Sequence, residues 1–451
     1  MNWKVLCLVV AGVVFLVFCQ PVQGLVKGSY TEEAPIKEKN FKHPTDWLEL
    51  GLEIRLRAEY DNARNLNKDA VGHDRINGRI RIRLPVKVKL NDDLDFNIRF
   101  AGEPRYYVRP PSMPQQMTRH EFLFDRLNFT WRNAFDMPLT IVIGRQDLKL
   151  GSTWLISDGT ALDGGLTGFF DALRFTYKLD DDVTADLVLI NNHADSAKLL
   201  QPFNDRDNDF SEQDEQGGIL YLAKKEGKDA GVDLYFIYKH DTKRVIAAGS
   251  EGEIYTLGLM KYGRLNDNWQ YCMEFAPQFG HKNGRSLGAF ATNNQLIYSF
   301  NDEKKNRIIL GYEYLSGNDD INKNFDRGWG RVDTWSILYQ GGIDGLDGRK
   351  YDNSNMHRGY IEWVTMLTEK AELRCSYNLL FADENTSAGG TGALSRSGIF
   401  RGQLPRVQIV YKASEHIKHQ LEAEMFCPGN FYNNSANDPA VLLRYNLIWT
   451  W

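Results

Sequence analysis

From Trp47 onward the chain alternates between apolar and polar positions. Leu48, Leu50, Leu52, Ile54, Leu56, Ala58 and Tyr60 take every second place, with Glu49, Glu53, Arg55, Arg57 and Glu59 between them. Ile76, Ile80, Ile82, Leu84, Val86, Val88 and Leu90 repeat the pattern against Arg79, Arg81, Arg83, Lys87 and Lys89. A period of two sends successive side chains to opposite faces of a strand, so each run predicts a strand with one apolar and one charged face. Runs at 94–100, 127–131, 173–179, 232–238, 269–275 and 371–381 do the same. The chain closes on Val441, Leu443, Tyr445, Leu447, Trp449 and Trp451, again at alternate positions.

The linkers alternate too. Short ones near 91–93, 133–138, 180–182, 226–230 and 264–268 interleave with long ones near 61–73, 108–118, 149–167, 193–216 and 317–354. Short turns at one end and long loops at the other mark a transmembrane antiparallel β-barrel, with the short turns periplasmic and the long loops extracellular. The segments predict roughly 18 strands, an even number as single-chain bacterial barrels require. Val332 to Gln340 breaks the alternation and is placed inside a long loop. A soluble all-β protein would also alternate, but it would not explain the linker asymmetry, the basic faces or the aromatic terminal strand. That last strand must pair with the first, because unpaired backbone groups are costly in lipid.

Composition narrows the class. The 451 residues are 42% hydrophobic and 25% charged, too apolar for a disordered chain. Lys4 followed by the apolar run from Val5 to Phe18, then Pro21-Val22-Gln23-Gly24, reads as a secretory signal peptide. The expected organisation is therefore a signal at 1–24, a polar periplasmic lead-in at 25–46 and an outer-membrane barrel at 47–451, in a bacterium with two membranes. Cys7 and Cys19 leave with the signal. Cys272, Cys375 and Cys427 are too far apart to suggest a disulfide framework or a zinc site. A net charge of -5 does not suggest a nucleic-acid binder.

The candidate chemistry lies on the charged strand faces. By parity, Arg55, Arg57, Arg79, Arg81, Arg83, Lys87, Lys89, Arg99, Arg126, Arg132, Arg174, Lys178, Arg374, Arg406 and Lys412 point into the lumen. Glu49, Glu53, Glu59, Asp95, Glu274, Glu372, Glu422 and Glu424 join them. Five like charges on one strand face require water or anions. Rings of positive charge inside a low-dielectric wall favour anions; the structural alternative is a ladder of Arg against Glu that braces the wall. Arg145 is a special case. Parity with Ile141 and Ile143 points it outward near the rim. The expected placement is nonetheless the lumen, through a bulge at Gly144, because an unpaired Arg facing lipid is unfavourable.

Asp205, Asp207, Asp209, Glu212, Asp214 and Glu215 crowd one long loop. They read as a solvated acidic surface, with a hard-cation site as the sharper alternative. No nucleophile elbow, zincin helix or phosphate-binding glycine loop occurs, so neither an enzyme nor a cofactor is expected.

Three blocks carry a family resemblance. Gly144-Arg145-Gln146-Asp147 precedes Leu162-Asp163-Gly164 and Phe170-Asp171-Ala172. Tyr312-Glu313-Tyr314-Leu315-Ser316-Gly317-Asn318-Asp319 precedes Phe325-Asp326-Arg327-Gly328-Trp329-Gly330 and Trp335. Phe400-Arg401-Gly402-Gln403-Leu404-Pro405 precedes Glu424-Met425-Phe426-Cys427-Pro428-Gly429-Asn430-Phe431-Tyr432. Together they resemble the alginate-export family of outer-membrane barrels. That resemblance implies an 18-stranded barrel whose arginine-lined lumen passes an anionic polysaccharide outward, with loops that can occlude the pore; a monomer is expected. A gradient or a periplasmic export partner would then set the direction. An inward-working nutrient porin and a structural or adhesive barrel with a plugged lumen are the alternatives.

Overall fold

The computed structural model describes residues 42–157, 169–195, 203, 211–244, 249–330, 335–347, 354–386 and 392–451. The expected signal at 1–24 and most of the expected lead-in at 25–46 lie outside them. Twenty extended segments join in one sheet. Two strands are interrupted, so the twenty segments make 18 strands. These are β1 (Leu48–Leu50 and Glu53–Asn62), β2 (Asp74–Lys89), β3 (Leu94–Gly102 and Arg105–Arg109), β4 (Phe122–Trp131), β5 (Leu139–Gln146) and β6 (Phe170–Lys178). Next come β7 (Val183–Asn192), β8 (Gln213–Lys225), β9 (Gly231–Arg244), β10 (Gly252–Arg264), β11 (Trp269–Lys282) and β12 (Arg285–Ser299). Last are β13 (Arg307–Leu315), β14 (Met356–Thr368), β15 (Ala371–Phe381), β16 (Phe400–Lys412), β17 (Ile417–Pro428) and β18 (Ala440–Thr450).

Each strand pairs antiparallel with the next, and β18 pairs with β1 in the register Ile54↔Trp449. The sheet is therefore a closed barrel without edges, as a β-structure in lipid must be. The two interruptions are set by proline. Gly51 donates to the Pro85 carbonyl at 2.9 Å, and a Cβ on Gly51 would stand 2.8 Å from the Pro85 ring, so glycine is needed at this approach. Pro104, which has no N–H to give, sits in the gap of β3.

The barrel is inside-out relative to a soluble protein. Leu56, Leu84, Phe129, Ile143, Leu220, Leu257, Phe275, Leu310 and Trp363 are exposed on the outer face, while Arg55, Glu59, Arg81, Asp125 and Glu424 are buried within. Strands of eight to sixteen residues bracket the roughly 9–11 needed to cross a bilayer. Short turns close one end with side-chain acceptors. Asn91 Oδ1 accepts from the amides of Asp93 and Leu94, and Asp180 and Asn266 do the same for their own turns.

At the other end two long loops fold inward. The β5–β6 loop sends Ser152 to Glu274 on β11, and Trp154 Nε1 to Glu313 on β13 at 2.8 Å. From β5 to β13 is eight strands of eighteen, so this loop crosses nearly the whole lumen. The β13–β14 loop returns toward β8, where Trp329 Nε1 donates to Glu215 at 3.0 Å, and pairs Asp326 with Lys282 on β11 at 2.7 Å. The two loops meet at the bridge Ile156↔Trp329. Leu148, Leu150, Trp154, Leu155, Phe170, Phe325, Trp329, Leu338, Tyr339 and Phe426 form their dry core inside the barrel. Burying each such side chain contributes about 1.5–3 kcal/mol. Of the irregular stretch Val332 to Gln340, the described residues do lie in this loop. They begin a strap, 335–347, of short helical turns.

Candidate functional site

The β1–β2 register places guanidinium directly opposite guanidinium: Arg55↔Arg81 and Arg57↔Arg79. Like charges facing each other across a ladder destabilise it. Interposed carboxylates resolve the conflict. Glu103, in the gap of β3, accepts from Arg55 at 3.1 Å, Arg79 at 2.6 Å and Arg105 at 2.8 Å. Glu53 accepts from Arg81 Nε at 2.8 Å, and Arg57 Nε donates to Asn446 at 2.7 Å.

Farther round the wall, Arg99 faces Arg126. A register shift there makes Asp125 an extra residue and turns it into the lumen. Asp125 then meets Arg99 at 2.6 Å and Arg83 at 3.4 Å. Asp147 receives Arg99 at 2.9 Å and also Arg126. Lys87 and Arg132 share Asp95, Arg174 meets Asp186 at 2.7 Å, and Arg374 meets Glu372 at 2.7 Å and Glu362 at 3.3 Å. Much of the basic face is therefore a charge ladder.

The bulge expected at Gly144 is absent. Gly144 has φ +115°, but the pairing runs through Asn128↔Gly144 and Leu127↔Arg145 without a shift, so no bulge turns the strand. Arg145 stays in the outward register with Leu127 and Ile143. It is buried there. Asp171 receives its guanidinium at 2.8 and 2.9 Å, the Phe124 carbonyl accepts a third bond, and the Phe169 ring covers it at 3.7 Å. The glycine serves close approach instead: a Cβ would stand 2.4 Å from the Leu127 carbonyl oxygen.

Below the inward loops lies a cavity of about 1140 Å³. It reaches from Ser414 and Glu415 at a short turn to Trp154, Trp335 and Ile337 at its ceiling. Of the residues expected from parity, Arg55, Arg57, Arg81, Arg374, Arg406 and Lys412 line it; Arg358, Lys418 and Arg444 were not anticipated. Among the described residues, nine Arg or Lys line the cavity against five Glu, with six Asn or Gln between them. Arg358 and Arg444 were legible, since each alternates with outward neighbours in its own strand. Glu103 and Asp125 were not, because one sits in an interruption and the other on a bulge.

Arg401 anchors the strap above the cavity. It donates to Tyr339 Oη at 2.9 Å and to Asp347 at 2.8 Å. Burial pushes the Tyr339 phenol up to about 12, so it remains a neutral acceptor for Arg401. In the acidic loop, Asp205, Asp207 and Asp209 lie outside the described residues. Asp214 accepts the amide of Ala194, and Glu215 holds Trp329.

At the root of the crossing loop, burial works to raise the Asp147 carboxyl, and the guanidiniums of Arg99 and Arg126 outweigh it, holding it below the usual range. A depressed carboxyl stabilises the fold fully above its unfolded value of about 4 and loses that contribution as pH falls through the lower folded value. Asp147→Asn is therefore expected to unfold at lower urea than wild type at pH 6. The difference should vanish in strong acid, and a gap that persists unchanged there would reject the ion pairing as its cause.

Solved structures with this fold include Pseudomonas aeruginosa OpdQ, with 12% identity and a TM-score of 0.58 over 90% of this chain and 99% of that one. OccD3 (OpdP) of the same organism aligns with 10% identity and a TM-score of 0.55, over 89% and 91%. The P. aeruginosa outer membrane protein opdK aligns with 9% identity and a TM-score of 0.55, over 89% and 99%. No curated protein matches the sequence. The alginate export family model matches residues 46–441. With that match over most of its length and a closed 18-stranded barrel, the chain belongs to the alginate export family and is a porin-like transport protein of a Gram-negative outer membrane.

Proposed function

We propose that the protein passes a carboxylate-bearing polysaccharide, alginate-like in chemistry, through its lumen. The observation that carries this reading is the cationic surplus of the cavity, nine Arg or Lys against five Glu. Carboxylates on the wall neutralise much of the basic ladder, yet the residues facing the cavity keep a cationic surplus, which would leave a positive field there. A low-dielectric wall focuses that field on an entering anion. Guanidinium forks match carboxylates in geometry as well as charge, and the amides supply donors and acceptors for sugar hydroxyls.

Arg55, Arg57, Arg81 and Arg374 are the contact residues in this reading. Arg79, Arg83, Lys87, Arg99, Arg126, Arg132 and Arg174 contribute through the field and through bracing, and Arg145 is outside the pathway. The cavity lies on the short-turn side of the loops, which suits entry from the periplasm and export by a single-chain pore. A passive pore has no direction of its own, so a periplasmic partner or a gradient supplies it.

Proteoliposome flux tests the reading. Labelled alginate oligosaccharides should leave faster than the same oligosaccharides with their carboxylates reduced to alcohols. Equal fluxes, or faster passage of the neutral form, would count against it.

A further inference from the structure

The strap at 335–347 forms part of the cavity ceiling, through Trp335 and Ile337. Among the described residues of the β13–β14 loop, Trp335 and Ile337 are the ones that line the cavity, where a polymer entering from the short-turn side would meet them. One wall residue holds the strap's leading end. Glu424, on β17, accepts hydrogen bonds from Ser336 Oγ and from the backbone amides of Ile337 and Leu338, both at 3.0 Å. Ser336 Oγ in turn accepts from the Tyr339 amide at 2.9 Å. The carboxylate and its three donors are all buried.

The wall is short of positive charge at this point. Arg406 donates to Glu422 at 2.6 Å and stands 3.7 Å from Glu424, so one guanidinium serves two carboxylates. Nor is the docked strap fully satisfied. Among the described residues, Trp335 Nε1 and Gln340 Nε2 are buried without an acceptor. A buried donor without an acceptor opposes the docked state, so the contact with Glu424 weighs heavily in keeping the strap down.

Converging amides, a hydroxyl and a neighbouring guanidinium form a carboxylate site by their chemistry. Here an internal carboxylate fills it. We propose that Glu424 is an autoinhibitory stand-in for a substrate carboxylate, holding the strap closed until a carboxylate of the entering polymer takes the Ser336–Leu338 donors. The proposal rests on the polysaccharide reading above for the identity of the ligand, but the latch itself does not depend on it.

Single-channel recording in planar bilayers tests it. Glu424→Gln removes the charge and leaves one acceptor oxygen, so the open-to-closed ratio without saccharide should rise by about tenfold or more, the equivalent of one charge-assisted hydrogen bond. Ser336→Ala removes one donor without altering the wall and should shift the ratio the same way by less. Alginate oligosaccharides should raise the opening frequency of the wild type, and their carboxyl-reduced counterparts should not. Wild-type gating in both variants overturns the proposal, as does equal opening by the reduced oligosaccharide. The same membranes report ion selectivity. If Glu424→Gln opens a cation-selective barrel, the latch stands and the polysaccharide reading falls.

Discussion

Glu103→Gln is expected to destabilise the barrel by about 3–5 kcal/mol, the cost of removing one partner from a buried ion pair. Glu103 is fully buried and is the shared acceptor of Arg55, Arg79 and Arg105. A glutamine retains the shape but not the charge, and its amide nitrogen cannot accept. The guanidiniums would then stand close together on β1, β2 and β3, with the cross-strand Arg–Arg repulsion no longer offset. Urea unfolding in lipid vesicles, followed by tryptophan fluorescence, measures the loss. Glu372→Gln is the control. Its pair with Arg374 is partly exposed, and such pairs contribute about 0–1 kcal/mol. If the two variants unfold at the same urea concentration, Glu103 does not bear the load assigned to it. Because the change also adds net positive charge to the wall, the surviving folded channel should be more anion-selective than wild type.

The second large effect is on selectivity. Replacing Arg57, Arg81 and Arg374 together by Ser leaves six cationic residues against the five Glu of the cavity. Focusing of anions depends on the surplus and not on the total, so the anion preference should fall close to none. Each removed charge carries a different local cost. Arg81 releases Glu53, Arg374 releases Glu362 and Glu372, and Arg57 loses a neutral partner, Asn446. The released glutamates add to the shift by attracting cations. A triple variant with the wild-type reversal potential would show that these side chains brace the wall and do nothing more.

The strand faces were legible because each meets a different medium. Lipid selects Ile80, Ile82 and Leu84, and the wet lumen tolerates Arg79, Arg81 and Arg83 between them, so the period of two survives over most of β2. Local exceptions escaped that reading. Pro85 and Pro104 lack a donor and interrupt the neighbouring pairing, and the bulge at Asp125 reverses the parity of one carboxylate. Arg145 shows the limit of an energetic argument made without partners. An Arg on the outer face is unfavourable only if it is bare, and Asp171 with Phe169 covers it. That pairing follows from the register Arg145↔Asp171, which the Phe170-Asp171-Ala172 motif contained but parity alone did not assign.

The inward loops were the least legible part. Their placement depends on contacts such as Trp154 with Glu313 and Ser336 with Glu424, between residues far apart in sequence. No local periodicity encodes such contacts. The resemblance supplied the idea of occluding loops, and the geometry supplied the anchors: Glu274, Glu313, Glu215 and Glu424. Carboxylates assigned by parity to a lumen ladder, Glu274 and Glu424, thus hold loops as well.

The most direct test is the zero-current potential of the wild-type channel across a planar bilayer with a KCl gradient. A cavity with a cationic surplus predicts the sign for chloride permeating faster than potassium. The opposite sign would contradict an anion pathway and leave the arginines as bracing for the wall.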